Sequence, residues 1–294
     1  MTVQQSLNLW IKGARPRTLP AAIAPVLVGT ACASVVNSVE HIWANGFLAL
    51  IVSLALQVAV NFSNDYSDGV RGTDANRVGP MRLVGSGAKK PKTVKRAAFV
   101  AFGIAAIFGL ILAATTSWWL LAVGVACIAA GWFYTGGSKP YGYYGFGELF
   151  VFIFFGVVAT TGTTFVVIQS LTFQSIVASI AVGSLACALL VVNNLRDIPG
   201  DTLVGKRTLA VRLGDQRTRQ MYYLLVLVSG LAIILMAVDS PTTLIGLLGL
   251  LAAGPAIRKV AHGAVGKELI DVLGATGRTQ ILTAVALSIG LLLA

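Results

Sequence analysis

Long apolar runs alternate along this chain with shorter polar stretches. Nine runs stand out, at roughly 18–37, 46–63, 97–115, 118–134, 149–168, 173–193, 221–238, 240–257 and 276–294. Each is near the ~20 residues that a helix needs to cross a hydrocarbon core. The pattern predicts an all-α polytopic membrane protein with nine transmembrane helices. No separate soluble domain fits, so residues 1–294 are read as a single membrane domain. Composition agrees: 56% of residues are hydrophobic, 11% are charged and the mean hydropathy is +0.82, whereas soluble domains average about 25% charged. The start, "MTVQQSLNLWIKGARPRTLP", has no apolar core before a small-residue cleavage site, so no signal peptide is expected.

Charge sets an orientation. The polar stretches before residue 18 and at 64–96, 135–148, 194–220 and 258–278 carry 3, 8, 1, 6 and 4 Lys/Arg, which is all 22. The connections on the other side carry none. By the positive-inside rule the N-terminus is cytoplasmic and the C-terminus lies outside. Of the 11 acids only Glu40 and Asp239 fall outside, so the chemistry gathers at the cytoplasmic face of the cell's inner membrane. The net charge of +11 suits a membrane surface or an anionic ligand better than nucleic acid in so apolar a chain. The run "KKPKTVKR", Lys89 to Arg96, reads as topology and contact with anionic lipid. Cys32, Cys127 and Cys187 lie in apolar segments, and His41 and His262 stand alone, so neither a disulfide framework nor a zinc site is indicated.

Two polar stretches carry the candidate chemistry. "NFSNDYSDGVRGTD", Asn61 to Asp74, ends the second apolar run, and "NNLRDIPGDTLVGKR", Asn193 to Arg207, ends the sixth. In the first, Asn64 and Asp68 are four apart, as are Asn61 and Asp65; in the second, so are Asn193, Asp197 and Asp201. That spacing puts side chains on one helix face. Asn64 and Asn193 lie 129 positions apart at equivalent helix ends, which suggests a weak internal duplication and two walls of one acidic cavity. Oxygen donors without His or Cys suit a hard cation such as Mg²⁺, normally shared with substrate phosphate. Basic residues follow each motif: Arg77 and Arg82 after the first, Lys206, Arg207 and Arg212 after the second. Acid for metal and base for phosphate together indicate a diphosphate site. Taken singly, either motif also admits the reading of an ordinary polar helix end with topogenic cations; the pair at equivalent positions favours the site.

"NDYSD" with "NLRDIPGD" resembles the paired aspartate-rich motifs of the UbiA superfamily of intramembrane aromatic prenyltransferases, NDxxDxxxD and DxxxD. Asn64, Asp65 and Asp68 match the first pattern; its fourth position falls on Gly72, with Asp74 two residues later, while Asp197 and Asp201 match the second. "ARPRTLPAAIAPVLVGTA" and "GGSKPYGYYGFGELFVFIFFG" resemble the branch that prenylates 1,4-dihydroxy-2-naphthoate. The resemblance implies a UbiA-type bundle and Mg²⁺-dependent prenyl transfer from polyprenyl diphosphate to that naphthoate, with loss of CO₂, in menaquinone synthesis. It implies two Mg²⁺ ions, one held by Asn64, Asp65, Asp68 and Asp74, the other by Asn193, Asp197 and Asp201. Asp65, Asp68, Asp197, Asp201 and Lys139 are the expected catalytic set.

The expected substrate contacts are Asn61, Arg77, Arg82, Lys139 and Lys206, with Arg15 and Arg17 before the first helix, Tyr144 in the loop and Glu148 at the start of the fifth helix. The loop "YTGGSKPYGYYGFGE", Tyr134 to Glu148, reads as a lid whose Tyr134, Tyr141, Tyr143, Tyr144 and Phe146 shield a carbocation. Two other readings stay open: a different acceptor, such as 4-hydroxybenzoate or homogentisate, and an ion-coupled transporter. Acids clustered at one membrane face rather than the midplane argue against the transporter.

Overall fold

The computed structural model describes residues 2–35, 42–73 and 79–294. The described residues are helical with short turns. Thr2 and Gln5 close a capping box at the start of α1 (Val3–Ala14). Arg15, in the left-handed region, and the helical turn Pro16–Thr18 then redirect the chain into α2 (Pro20–Ser34), bent by 56° from the preceding segment. There follow α3 (Ile42–Arg71), α4 (Pro91–Thr115), α5 (Leu120–Phe133), α6 (Gly147–Ile168), α7 (Phe173–Leu203), α8 (Leu209–Met236), α9 (Pro241–Ala261) and α10 (Glu268–Leu292). Proline opens α2 and α4 where its missing N–H costs nothing.

Among the described residues, seven helices are long and apolar enough to cross a membrane, or eight if the bent α1–α2 pair counts as one span. The remaining expected segment, 118–134, is α5, only 14 residues long. At ~1.5 Å per residue it covers about 21 Å, less than a ~30 Å hydrocarbon core.

α7 is the central helix. In its most apolar stretch 83% of residues are buried, against 28 to 50% in the other long helices. It packs on α2, α6, α8 and α10, and two of the core clusters form on it, around Leu185 to Leu195 and around Val177 to Val182. One close approach needs glycine: a Cβ on Gly156 would fall 2.7 Å from the Cα of Gly183. There α6 runs as a wider π-helix over Phe152–Val158 and lies against α7. The aspartate motifs therefore end two helices of very different burial, α3 at the rim and α7 at the centre.

Candidate active site

One face of α3 and one face of α7 look into a shared cavity of about 1020 Å³. On α3 the lining residues are Ala49, Val52, Ser53, Leu56, Gln57, Val60, Asn61, Asn64 and Asp68, the three- and four-residue steps of one helix face. With Gly72 they extend over about 35 Å of axis; the face is mixed through Ser53 and Gln57 and carries only Asn, Asp and Gly from Asn61 onward. On α7 the face runs from Ala186 through Asn193, Asn194 and Asp197 to Asp201. The two acidic stretches thus meet at one end of the cavity. Beyond them it is walled by apolar residues of α5 and α6.

Each polar ligand candidate is held by named partners. The amide oxygen of Asn64 accepts a hydrogen bond from Thr135 at 2.7 Å. Asp68 accepts from the Tyr143 hydroxyl at 2.5 Å and from Lys206 Nζ at 3.1 Å, and that ammonium also lies 4.6 Å from the Tyr143 ring centroid. Burial, then the charge of Asp68, pushes the Tyr143 phenol well above its ordinary value, so it stays a neutral donor. Across the cavity, Arg196 grips Asp197 through Nε at 2.7 Å and Nη2 at 2.8 Å, and donates to Asn193 Oδ1 at 2.8 Å. Lys12, Arg15, Arg17, Arg82, Arg196 and Lys206 all line the cavity with Asp68, Asp197 and Asp201. Positive charge therefore exceeds negative among the described lining residues. Asn61 fixes part of that array: its amide donates to Ala14 O at 2.9 Å and Thr18 Oγ1 at 3.1 Å, holding the α1–α2 turn and its arginines over the site.

Four of the expected site residues do not line this cavity. Asp65 does not line the cavity; its carboxylate accepts the backbone N–H groups of Leu83 at 2.7 Å and Val84 at 2.9 Å. A residue one position after Asn64 is turned about 100° around the helix, and here that direction meets the 79–90 segment. Lys139 is exposed and lines no part of the cavity. Tyr144 is 47% exposed and faces a separate small cup with Arg71 and Arg207. Glu148 is buried behind the wall: its Oε1 accepts from Asn194 at 2.9 Å, and its Oε2 has no hydrogen-bond partner among the described residues. Asp74 and Arg77 lie outside the described residues.

The expected lid is a built wall. Arg71 donates to the carbonyls of Thr135 and Gly137, Arg207 N donates to Tyr143 O at 2.9 Å, and Tyr141 stacks on Phe150 at 4.0 Å. Burial raises the Tyr141 phenol; burial and then the Glu148 charge raise that of Tyr134. Both tyrosines therefore face the cavity as neutral rings.

The UbiA prenyltransferase family profile matches residues 22–265, most of the chain and both motifs. The chain belongs to the UbiA prenyltransferase family. It is 49% identical over 287 residues to the 1,4-dihydroxy-2-naphthoate octaprenyltransferase of Mycobacterium tuberculosis (strain ATCC 25618 / H37Rv), covering 96% of each chain. The Escherichia coli (strain K12) protein of the same name is 36% identical over 271 residues, covering 89% of this chain and 87% of its own. Among solved structures, a UbiA homolog from Aeropyrum pernix K1 matches with a TM-score of 0.70 at 13% identity over 92% of this chain and 96% of that one. A UbiA homolog from Archaeoglobus fulgidus bound to DMAPP and Mg²⁺ matches with a TM-score of 0.60 at 14% identity, over 96% and 99%. At such identities the likeness shows a shared UbiA fold.

Within this family site, Arg196 and Tyr143 are the contributors that sequence reading underrated. Arg196 enters the sequence reading only in the count of basic residues at 194–220, yet it stands three residues after Asn193 and beside Asp197, a spacing that permits the observed fork. Tyr143 was one of five loop aromatics; only tertiary contact singles it out.

Proposed function

We propose that this enzyme transfers a polyprenyl group from polyprenyl diphosphate to 1,4-dihydroxy-2-naphthoate, releasing CO₂ and diphosphate and giving demethylmenaquinol. One observation carries the chemistry: two walls of amide and carboxylate oxygens face each other at the polar end of a cavity that is otherwise apolar along most of its length. The naphthoate as acceptor is supported by the name of the relative that is 49% identical over almost the whole chain.

The donor set fits a hard divalent cation. Asn64 and Asp68 on one wall, with Asn193, Asp197 and Asp201 on the other, offer oxygens only. Among the described residues no three acidic, His or Cys side chains form a closed cluster, which suits ions whose remaining ligands come from the substrate. We assign two Mg²⁺ ions, one to each wall; when bound they supply positive charge against the leaving diphosphate. Lys206, Arg82 and Arg15 are assigned to the diphosphate oxygens. Asp65 supports the site from behind by holding the Arg82 segment.

The reacting end of the prenyl group sits between these walls and the neutral rings of Tyr134, Tyr141 and Tyr143. The allylic C–O bond breaks as the ring carbon of the naphthoate forms the new C–C bond, and the carboxylate leaves as CO₂. The negative ends of the tyrosine quadrupoles favour the cation-like prenyl end, and the walls exclude the water that would hydrolyse it. The tail gains access sideways between α5 and α6. That opening is bracketed by the pair of Trp119, just before α5, with Phe165 of α6 at 5.4 Å and by the stack of Tyr141, in the 134–148 loop, on Phe150 of α6 at 4.0 Å. Between these pairs Val123, Gly124 and Cys127 face Phe154, Phe155 and Val158 around the cavity. The one-sided distribution of Lys and Arg supports an N-terminus and active site on the cytoplasmic side of the inner membrane, with the short α5 making the ninth crossing where the bilayer thins around it.

The decisive assay uses purified protein in detergent with Mg²⁺, octaprenyl diphosphate and a panel of acceptors. The naphthoate should release diphosphate and CO₂ together. Faster turnover of 4-hydroxybenzoate or homogentisate would overturn the acceptor, and full activity in EDTA would overturn the metal.

A further inference from the structure

We propose that Gly109, Gly124 and Gly162 set how long a prenyl chain this enzyme accepts, because they leave the far part of its cavity free of side chains. The inference rests on the prenyl-transfer reading above. Two kinds of helical glycine in this bundle contrast. At Gly29, Gly156, Gly183, Gly249 and Gly290 a Cβ would come within 2.4 to 2.9 Å of a neighbouring backbone atom, so these residues let helices touch. At Gly109, Gly124 and Gly162 a Cβ would meet nothing within 4 Å, and none of the three has a positive φ. Neither packing nor backbone conformation asks for glycine there. Each costs about 1 kcal/mol relative to alanine in a helix interior. What they share is that all three line the cavity, from three different helices, α4, α5 and α6.

Their depth gives the void a meaning. Gly124 lies about 15 Å along α5 from Tyr134, and Gly162 about 18 Å along α6 from Phe150. One turn further on the same helices come Leu112, Leu120 and Val166, the last cavity-lining residues of each. The glycines thus sit just inside the apolar end, far from the carboxylates. A donor of one isoprene unit stays at the polar end. A long polyprenyl chain must pass them, and a side chain placed there blocks it.

The test compares two donors, dimethylallyl diphosphate and octaprenyl diphosphate, on wild type, Gly124→Leu and Gly162→Leu. With octaprenyl diphosphate kcat/KM should fall about tenfold or more, the scale of a hydrophobic pocket refusing extra carbons. With dimethylallyl diphosphate it should stay within about twofold, which also verifies folding. Equal losses with both donors, or no loss with octaprenyl diphosphate, overturn the inference. A wild type that turns over neither donor overturns the prenyl-transfer reading itself and the inference with it.

A second measurement needs no variant. Cys127 lines the cavity between Gly124 and Gly131, whereas Cys32 and Cys187 are buried at 0% and 2% exposure. With Mg²⁺ present, octaprenyl diphosphate should slow alkylation of Cys127 by N-ethylmaleimide about tenfold, the measure of an occupied pocket, while dimethylallyl diphosphate leaves it unchanged. Equal rates with the two donors overturn the inference.

Discussion

Replacing Asp65 by alanine should destabilise the protein before any metal or substrate is added. The side chain is fully buried, and its two oxygens take the N–H groups of Leu83 and Val84 at 2.7 and 2.9 Å. Leu83 is itself fully buried, so water cannot replace the lost acceptor there. Each hydrogen bond to a charged group is worth about 1.5–3 kcal/mol, and an orphaned buried donor costs a similar amount. Two such losses amount to about 3–6 kcal/mol. A shift of at least about 5 °C in the melting temperature is expected from a change of that size. The assay is thermal unfolding in detergent with EDTA, comparing wild type, Asp65→Ala and Asp68→Ala. Asp68 is itself buried and paired with Tyr143 and Lys206, so its removal should cost stability of its own besides abolishing turnover, and only the loss at Asp65 is traced to the Leu83–Val84 backbone. If Asp65→Ala melts with wild type in EDTA and loses only the stabilisation that Mg²⁺ confers, the anchoring role is refuted and Asp65 belongs with the ligands.

Other outcomes follow from the same contacts. Arg196→Lys cannot reproduce the fork onto Asp197 and Asn193, so turnover should fall about tenfold or more although charge is kept; steady-state kinetics over a Mg²⁺ titration checks this. Lys139→Ala and Tyr144→Ala should each stay within about twofold of wild type in the same assay, since surface changes away from a site move free energies by at most ~0.5 kcal/mol. Tyr143→Phe should leave the tyrosinate absorbance change near the ordinary phenol value of ~10 unaltered, because that phenol is held protonated above it. For Tyr143 and Tyr141 the folded value is raised. Their contribution to stability is therefore present below pH ~10 and is lost as pH rises past it, when the unfolded phenols ionise first. Alkaline unfolding curves of wild type and Tyr143→Phe measure that loss.

Much of this protein is decided locally. Apolar runs of membrane length must become helices, because lipid offers no partner to a free N–H or C=O. The one-sided distribution of Lys and Arg and the four-residue spacing of Asn64 and Asp68, or of Asn193, Asp197 and Asp201, are likewise properties of the string. They place the chemistry at one end of two helices before any packing is known. Direction around a helix is also local, yet what lies in that direction is not. Asp65 belongs to the same motif as Asp68, and only the fold shows that it meets the backbone of Leu83 and Val84 instead of the cavity. Lys139 and Tyr143 share one loop; the hold of Arg71 and Arg207 on that loop leaves the lysine in solvent and turns the tyrosine onto Asp68. Glu148 follows the same rule, buried behind Asn194 rather than beside the substrate space. Side-chain partners come from segments 18 to 75 residues away in these cases, distances over which spacing carries no information. The sequence by itself determined a membrane bundle with an acidic, cation-rimmed end. Tertiary packing alone decided which acids face the cavity, which basic residues hold them, and how far the apolar space extends beyond, since each depends on contacts between helices remote in the chain.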